Sequence, residues 1–461
     1  MAQAASRIGR PKRAVLAVSG GPDSLALLLA ASDARKTPVL SDIQFDVVTV
    51  DHGLRQQSAI EADFVASIAR SLALPHKTMR WAKPAHSGNL PAAARRARYG
   101  LLLDAARQSG ATVILTAHHQ DDQLETHLLA RARGAGETGL AGMRRVRDIA
   151  PGVALMRPFL DVPGGRLKAT VAAAGMRAVD DPTNADMAYH RVRLRQQLAA
   201  GDIDRRRLEM EIASHAARRD AGEAELAATI GTMAAKGEFA ASGGGTLVFD
   251  RAALAAIERS TAFLLMQRAI AAVAGGNYAP GGRSVMRLVD ALRGPDDRIA
   301  VSLGGALVDA RSSVTVVREF GRTGISGLAP ADLASRVVFD GRFDIRLSRE
   351  HCNRGAGIVA FGSLGRGNRI EQSLPVLAVG TTLVAVPEAL ARKAGEGLDW
   401  LEIASLVAWR LMRDLPVSRC DVAAGMVTAV TKGPESPSIL PQKRPMMLAR
   451  RGSPPIFDEI V

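Results

Sequence analysis

Over the first 180 residues, short apolar runs alternate with longer stretches in which apolar positions recur every three or four residues. The runs at 14–19, 45–51 and 112–117, with a shorter one at 76–81, predict strands. The stretches between them predict helices over 23–35, 56–74, 89–109 and 121–133. In 56–74 the apolar Ile60, Phe64, Ile68 and Leu72 fall four apart, on one helix face. Strands that are apolar throughout are buried on both faces, and strands joined by helices pair in parallel. The pattern therefore predicts an α/β fold, a parallel sheet covered by helices.

Beyond residue 180 the texture changes. Residues 194–235 read as one long charged helix or two, and Ser242 with the three glycines after it reads as a break. Residues 251–294 are helical in pattern, 298–320 alternate like a hairpin around Asp309-Ala-Arg, and 321–334 read as a linker. Short strands and helices then mix over 337–430, before a proline-rich tail beyond Lys432. Three domains are expected: 1–200 with the parallel sheet, 201–325 helical plus a hairpin, and 335–461 a small α+β domain with an irregular tail.

Composition narrows the partners. With 47% hydrophobic residues in 461, ordinary globular cores are available. No apolar stretch reaches the roughly 18–20 residues of a membrane span, so no membrane association is expected. Arg7, Arg10, Lys12 and Arg13 precede an apolar run, the outline of a secretory leader, but Gly-Gly-Pro-Asp cuts the run and no small-residue cleavage site precedes the cut. Two cysteines, Cys352 and Cys420, make neither a disulfide framework nor a four-cysteine metal site, which fits a reducing cytoplasm. The net charge of +14 suits a polyanion such as nucleic acid or anionic lipid, although a basic proteome gives the same balance. Aromatic residues are only 4%, too few for base-stacking platforms. The sequence leaves an oligomer open.

Three polar motifs fall at the carboxyl ends of predicted strands, where open parallel sheets bind ligands: SGGPDS (19–24), DHGLR (51–55) and AHHQDD (117–122). The first reads as a phosphate cradle. Gly20 and Gly21 admit an oxyanion close to the backbone, Pro22 opens the helix, and the hydroxyls of Ser19 and Ser24 add donors. Asp23 would repel phosphate unless a cation bridges them, which implies Mg²⁺. No GxxxxGK[ST] occurs in the chain. A cradle without that lysine suits holding pyrophosphate as a leaving group, with attack at the α-phosphate of ATP. In the third motif Asp122 and Glu125 stand three apart and Asp121 and Glu125 four apart, so the acids share one helix face behind His118 and His119. Acids in a first turn are also ordinary partners of the helix dipole. Arg95 and Arg98 share a face of the 89–109 helix and suit phosphate, or solvent.

SGGxDS at this place resembles the pyrophosphate-loop ATPases of the adenine-nucleotide α-hydrolase superfamily. VDHGLR (50–55), NLPAAARRARY (89–99), TAHHQDDQLET (116–126), RARGAGETGLAGM (131–143), RPFL (157–160) and DDPTNADMAYHRVRLR (180–195) follow in order. Together, over about 200 residues, they resemble the tRNA(Ile)-lysidine synthetase family. The hairpin at 302–319 resembles that family's appended region more weakly. A tRNA thiolase commonly has cysteines near its site, and this chain has none before Cys352. A relative of asparagine synthetase needs an N-terminal cysteine, and Ala2 stands there.

The resemblance implies an enzyme, a ligase, that uses ATP and Mg²⁺ to adenylate the wobble cytidine of tRNA(Ile) with a CAU anticodon. Free lysine then displaces AMP. It implies Ser19, Gly20, Gly21, Pro22, Asp23, Ser24, Asp51 and His52 for nucleotide binding, and Asp23 and Asp121 for metal. It implies His118, Asp122, Glu125, Arg98 and Arg191 for catalysis, with Asp122 and Glu125 facing lysine's amino groups. Val192 follows Arg191 where the family has Asn, which weakens the case for Arg191. Gly134, Gly136, Gly139 and Gly142 make a loop that could close over the cytidine or serve as a plain connection. The arginines from 191 to 219, among them Arg205, Arg206 and Arg207, suit either a tRNA-backbone track or a solvated face. Another tRNA-modifying enzyme on the same scaffold, or a non-catalytic nucleotide-dependent RNA binder, is the competing reading.

Overall fold

The computed structural model of the chain describes residues 11–38, 40–53, 58–81, 90–179, 190–200, 203–276, 280–391 and 398–416. Internal contacts divide the chain into two compact units, one up to Ala221 and one from Gly222.

The first unit is built on six strands: β1 Arg13–Ala17, β2 Gln44–Asp51, β3 His76–Arg80, β4 Val113–Leu115, β5 Val146–Ala150 and β6 Val153–Met156. Their order in the sheet is β3-β2-β1-β4-β6-β5. The first four and β6 run parallel, with Ala14 opposite Phe45 on one side of β1 and Val113 on the other, while β5 returns antiparallel to β6. The residues of β1 explain why it is central, since alternate side chains enter two separate cores. Ala14, Leu16 and Val18 pack with Leu25 and Leu28 of α1 (Pro22–Ala34), Val65 of α2 (Ser58–Ser71) and Leu167 of α6 (Gly164–Ala173). Val15 and Ala17 pack with Leu102 and Ala106 of α3 (Leu90–Ser109) on the opposite face. A strand with apolar residues on both faces has no solvent side, as its unbroken pattern predicts.

Chain order reverses at β1, which has β2 on one side and β4 on the other. The carboxyl ends of β1 and β4 therefore flank the crevice of a topological switch point. From the end of β4 runs α4 (Gln120–Ala132), followed by the one-turn α5 (Glu137–Leu140), α7 (His190–Ala200) and the long α8 (Arg205–Ala235). The pattern of 194–235 thus resolves into two helices. Leu194 and Leu198 of α7 and Leu208 and Ile212 of α8 pack against Leu124, Leu128 and Leu129 of α4 in a core of their own.

In the second unit β7 Phe239–Ala241, β8 Leu247–Asp250, β9 Ile299–Leu303, β10 Ala306–Ala310 and β11 Ser313–Arg318 form an antiparallel sheet of order β7-β8-β11-β10-β9. Phe249, Val308 and Val316 of this sheet share a core with Leu265 and Ile270 of α9 (Arg259–Ala274) and Leu288 of α10 (Gly282–Arg293). The expected break at Ser242 is the turn of the β7–β8 hairpin, closed by Ser242 N–H donating to the Thr246 carbonyl at 2.9 Å. The expected hairpin at 298–320 is present as β10 and β11, with β9 as a third strand. The stretch read as a linker is packed: Ile325 is buried in the following core, and Leu328 exchanges backbone hydrogen bonds with Ile358 at 2.8 and 3.0 Å. That core supports two small sheets, one of strands Arg336–Phe339, Phe343–Arg346 and Glu402–Ser405 and one of Gly357–Ala360, Pro375–Val379, Thr382–Val386 and Asp399–Trp400. The proline-rich tail and Cys420 lie outside the described residues. No described helix is long and apolar enough to cross a membrane.

Candidate active site

The phosphate loop leaves β1 and enters α1 with Pro22 at the helix start and no side chain capping its N-terminus. The first-turn N–H groups are thus not taken by a side-chain cap, a setting that favours an anion. Ser24 shapes the loop from inside. Its hydroxyl accepts from Ser19 N at 3.1 Å, lies 3.3 Å from Ser19 Oγ and donates to the Gly21 carbonyl at 2.9 Å. Gly20 has φ +87°, and its carbonyl accepts from Val179 N–H at 3.0 Å. A Cβ at Gly20 would lie 3.1 Å from Val179 Cγ2. Gly20→Ala should therefore cost about 1–2 kcal/mol from the left-handed backbone and displace the loop. The expected result is a lower thermal midpoint together with ATP affinity reduced by at least tenfold, read by scanning calorimetry and nucleotide titration.

Across the crevice α4 opens with a reciprocal cap. His119 Nδ1 accepts from Asp121 N at 3.2 Å, while Asp122 Oδ2 accepts from His119 N at 3.0 Å. The histidine takes the place of the usual Ser or Thr in a capping box. Its other nitrogen, Nε2, lies 3.5 Å from Asp23 Oδ2 and 3.7 Å from Asp122 Oδ2. Burial opposes a charged imidazole here, but the hydrogen bond that His119 donates to Asp23 and the charges of Asp122, Asp23 and Asp121 outweigh it and raise the His119 pKa. His119 thus joins the phosphate loop to the acidic turn of α4.

The acids of that turn meet two arginines from outside the helix. Arg195 of α7 reaches Glu125 Oε1 with Nε at 2.5 Å and Asp122 Oδ1 with Nη2 at 3.3 Å. Arg205 of α8 pairs with Asp121 Oδ1, and Asp121 Oδ2 accepts from Gly164 N–H at 3.3 Å. Burial would raise the Asp121 carboxyl, but Arg205 and then His119 hold it below the usual carboxylate range. Gly164 is required where it stands, because a Cβ there would come within 2.8 Å of Asp121 Oδ2 and 2.9 Å of the His119 ring.

These contacts bear on the metal expectation. Both oxygens of Asp121 are engaged, one by a guanidinium standing where a cation would bind, so Asp121 does not fit a metal role. Asp23 does fit, since its Oδ1 is buried and meets no hydrogen-bond partner among the described residues. No cluster of three or more His, Cys, Asp or Glu poised for a metal occurs among those residues. One carboxylate beside bound phosphates is nevertheless a usual Mg²⁺ arrangement.

The remaining residues fall into place around this centre. Asp51, at the end of β2, accepts from Gly53 N at 2.8 Å and so closes its own turn, with the Ser58 and Gly53 hydrogen bonds holding its carboxyl low. His52 stands edge-on to Trp81, with ring centroids 6.0 Å apart. Burial first, and the positive charge of Arg98 second, lower its pKa and keep it neutral. The charge of Arg98 of α3 thus acts on the second strand-end motif, and Arg95 lies over the Tyr99 ring. His118 meets Thr116 Oγ1 at 2.9 Å, while its neighbour His119 is the histidine that meets Asp23 and Asp122. The Arg191 side chain, like residues 54–57 and 180–189, lies outside the described residues. Arg157 of RPFL is fully buried and donates to the Arg144 carbonyl at 2.8 Å, with burial drawing its pKa down to about 10.

Two segments left open by the sequence are described by the structure. The glycine-rich loop is fastened rather than loose. Gln123 clasps Met143 through both backbone groups at 2.6 and 2.9 Å, His127 contacts the Leu140 carbonyl at 2.8 Å, and Glu137 pairs with His215 and Arg218 of α8 at 2.6 and 2.7 Å. The arginine track is also partly committed, since Arg205 serves Asp121 and Arg207 pairs with Glu211 at 3.0 Å. Arg206 is exposed.

The chain's sequence relations agree with this layout. The family model described as the PP-loop domain matches residues 2–201. A protein of Methylobacterium nodulans called tRNA(Ile)-lysidine synthase is 44% identical over 305 residues, covering 64% of this chain and 86% of the relative. The chain belongs to the tRNA(Ile)-lysidine synthase family. A family member from another Methylobacterium strain is 43% identical over 65% of this chain and 87% of its own length, and one from Brucella anthropi is 36% identical over 72% and 73%. The Asp23–His119–Asp122 contact lies within the residues that the PP-loop model matches.

Proposed function

We propose that this chain joins lysine to the wobble cytidine of tRNA(Ile) with a CAU anticodon, consuming ATP and releasing AMP and pyrophosphate. The observation that carries the reading is His119 Nε2, 3.5 Å from Asp23 and 3.7 Å from Asp122. It brings a phosphate loop without a lysine beside the acids of α4, the half-buried Asp122 and the buried Glu125, as adenylation followed by capture of a cationic amine requires. The names of the relatives supply the tRNA and the product, and the net charge of +14 suits the polyanion.

In this reading the phosphate loop holds the β- and γ-phosphates, and the cytidine C2 oxygen attacks the α-phosphate. Asp23 would hold Mg²⁺ against the pyrophosphate, and that ion supplies charge neutralisation on the leaving group. His119 orients Asp23 by directing its Nε2 edge at that carboxylate. Arg98, whose charge acts on His52, is placed for the nucleotide's developing negative charge. Asp122 and Glu125 then receive the amine. Lysine's amine is charged near neutral pH and must lose a proton to attack, so an adjacent carboxylate serves both to bind it and to accept that proton.

Chromatography of products from labelled ATP in the presence of lysine, Mg²⁺ and tRNA tests the first step. AMP should appear in proportion to lysine incorporated. Accumulation of ADP would mean attack at the γ-phosphate and end this reading.

A further inference from the structure

We propose that Arg195 is a substrate-mimicking residue that sets amine affinity and charge selectivity: without lysine its guanidinium occupies the carboxylate pair that the amine must use. This rests on Asp122 and Glu125 being the amine subsite. Glu125 is 1% exposed, and a carboxylate that deep needs a cation at all times. Arg195 supplies one in the free protein, with Nε on Glu125 at 2.5 Å and Nη2 on Asp122 at 3.3 Å. A substrate ammonium bonded to the same two oxygens would meet those guanidinium nitrogens, so the two cations exclude each other.

The pair is asymmetric in a way that favours exchange. The acid is locked in the middle of α4, whereas the Arg195 side chain is 43% exposed. Its helix is anchored separately, by Leu194 and Leu198 against Leu124, Leu128 and Leu129. The guanidinium can therefore swing into solvent by rotamer changes while α7 stays docked. Replacing one cation by another never leaves Glu125 uncompensated, so the exchange avoids the desolvation cost of opening an empty anionic site. A neutral or anionic amino acid cannot displace the arginine. The apparent affinity for lysine is then the intrinsic affinity scaled by the fraction of protein whose arginine is out.

Arg195→Met removes the charge and keeps much of the aliphatic stem. Calorimetric titration of L-lysine into the full chain with a non-hydrolysable ATP analogue should show binding roughly tenfold tighter than wild type, if the open state is about a tenth of the population. Millimolar guanidinium ion should compete with lysine in Arg195→Met and have no such effect on wild type. Lysine binding that is unchanged or weaker in Arg195→Met overturns the proposal, because a residue that only orders the acids would give that result. Should the methionine variant fail to fold, Arg195→Lys serves instead. An ammonium tethered at position 195 lacks the guanidinium's fork of aligned N–H groups and holds the pair less firmly, so that variant should bind free lysine several-fold more tightly than wild type, equal or weaker binding again overturning the idea. Glu125→Gln separates the two levels, since undiminished lysine binding in that variant would remove the amine subsite itself, whatever Arg195→Met does.

Discussion

Asp23→Ala is expected to reduce single-turnover formation of modified tRNA by about a thousandfold, while leaving tRNA affinity within about twofold of wild type. The size follows from electrostatics aimed at a leaving group, where losing one such contact typically costs about 3–4 kcal/mol of transition-state stabilisation. Asp23 lies in the first turn of α1, with one oxygen 3.5 Å from His119 and the other buried without a hydrogen-bond partner among the described residues. Among the described residues its removal orphans no donor but His119, whose Nε2 keeps Asp122 at 3.7 Å. The fold should therefore lose only the favourable charge at the helix N-terminus, about 0.5–1 kcal/mol. Quench-flow with labelled ATP, beside filter binding of tRNA, separates the two quantities. A parallel fall in tRNA binding would show that the phosphate loop also carries the RNA.

Much of the first unit was legible because its central strands have no solvent face. β1 and β4 carry unbroken apolar runs, β2 is mostly apolar, and their helical connections leave a parallel sheet as the consistent solution. The β5–β6 hairpin was not legible from that pattern. β5 is an edge strand whose Arg147 and Asp148 interrupt the apolar run, and β6 is only four residues long. The sign available was the Pro151-Gly152 pair, whose glycine takes φ +80° in the turn between them. In the second unit Ser242 and its glycines read as a break because turn residues look alike whether a hairpin or a linker follows.

The site divides along the same line between local and distant information. Spacing put Asp121, Asp122 and Glu125 on one helix face, and strand ends gathered the loop and that helix. Spacing also held a clue to His119: a histidine three residues before Asp122 repeats the geometry of a capping box with an unusual first member. Arg195 and Arg205 gave no such sign, because they stand 70 and 84 residues away from the acids they meet. In the sequence they were indistinguishable from their neighbours Arg193 and Arg206, which share the same charged helices. Gly164 was silent for the same reason, as its requirement comes from Asp121 and His119 packed over it. This changes how arginine substitutions in α8 should be read. A joint replacement of Arg205, Arg206 and Arg207 would release Asp121 as well as remove surface charge. Only Arg206→Ala tests a phosphate contact cleanly.

Glu125→Gln is expected to abolish the lysine-dependent half of the reaction, by a thousandfold or more, and to leave the lysine-independent half within about threefold. The amide preserves the shape of a side chain that is 1% exposed, so packing among Leu124, Leu128 and Leu129 should persist. What disappears is the charge. Arg195 keeps Asp122 at 3.3 Å and is solvated enough to tolerate the loss, so stability should fall by about 1–2 kcal/mol rather than the larger cost of stranding a buried cation. An ammonium entering the site would then meet one carboxylate instead of two, and the more deeply buried one would be neutral. Buried charges interact more strongly than exposed ones, so in the proposed reaction Glu125 should carry the greater part of amine binding and of the drive to draw off its proton. The phosphate loop is untouched, and ATP should still react with tRNA. With labelled ATP and no lysine, wild type and variant should release pyrophosphate in similar single-turnover bursts. When lysine is added, AMP should leave the wild-type complex and stay attached to the tRNA in the variant. Equal loss of both steps would place Glu125 in the architecture of the whole site, and the separation of nucleotide and amine subsites along α4 would have to be abandoned.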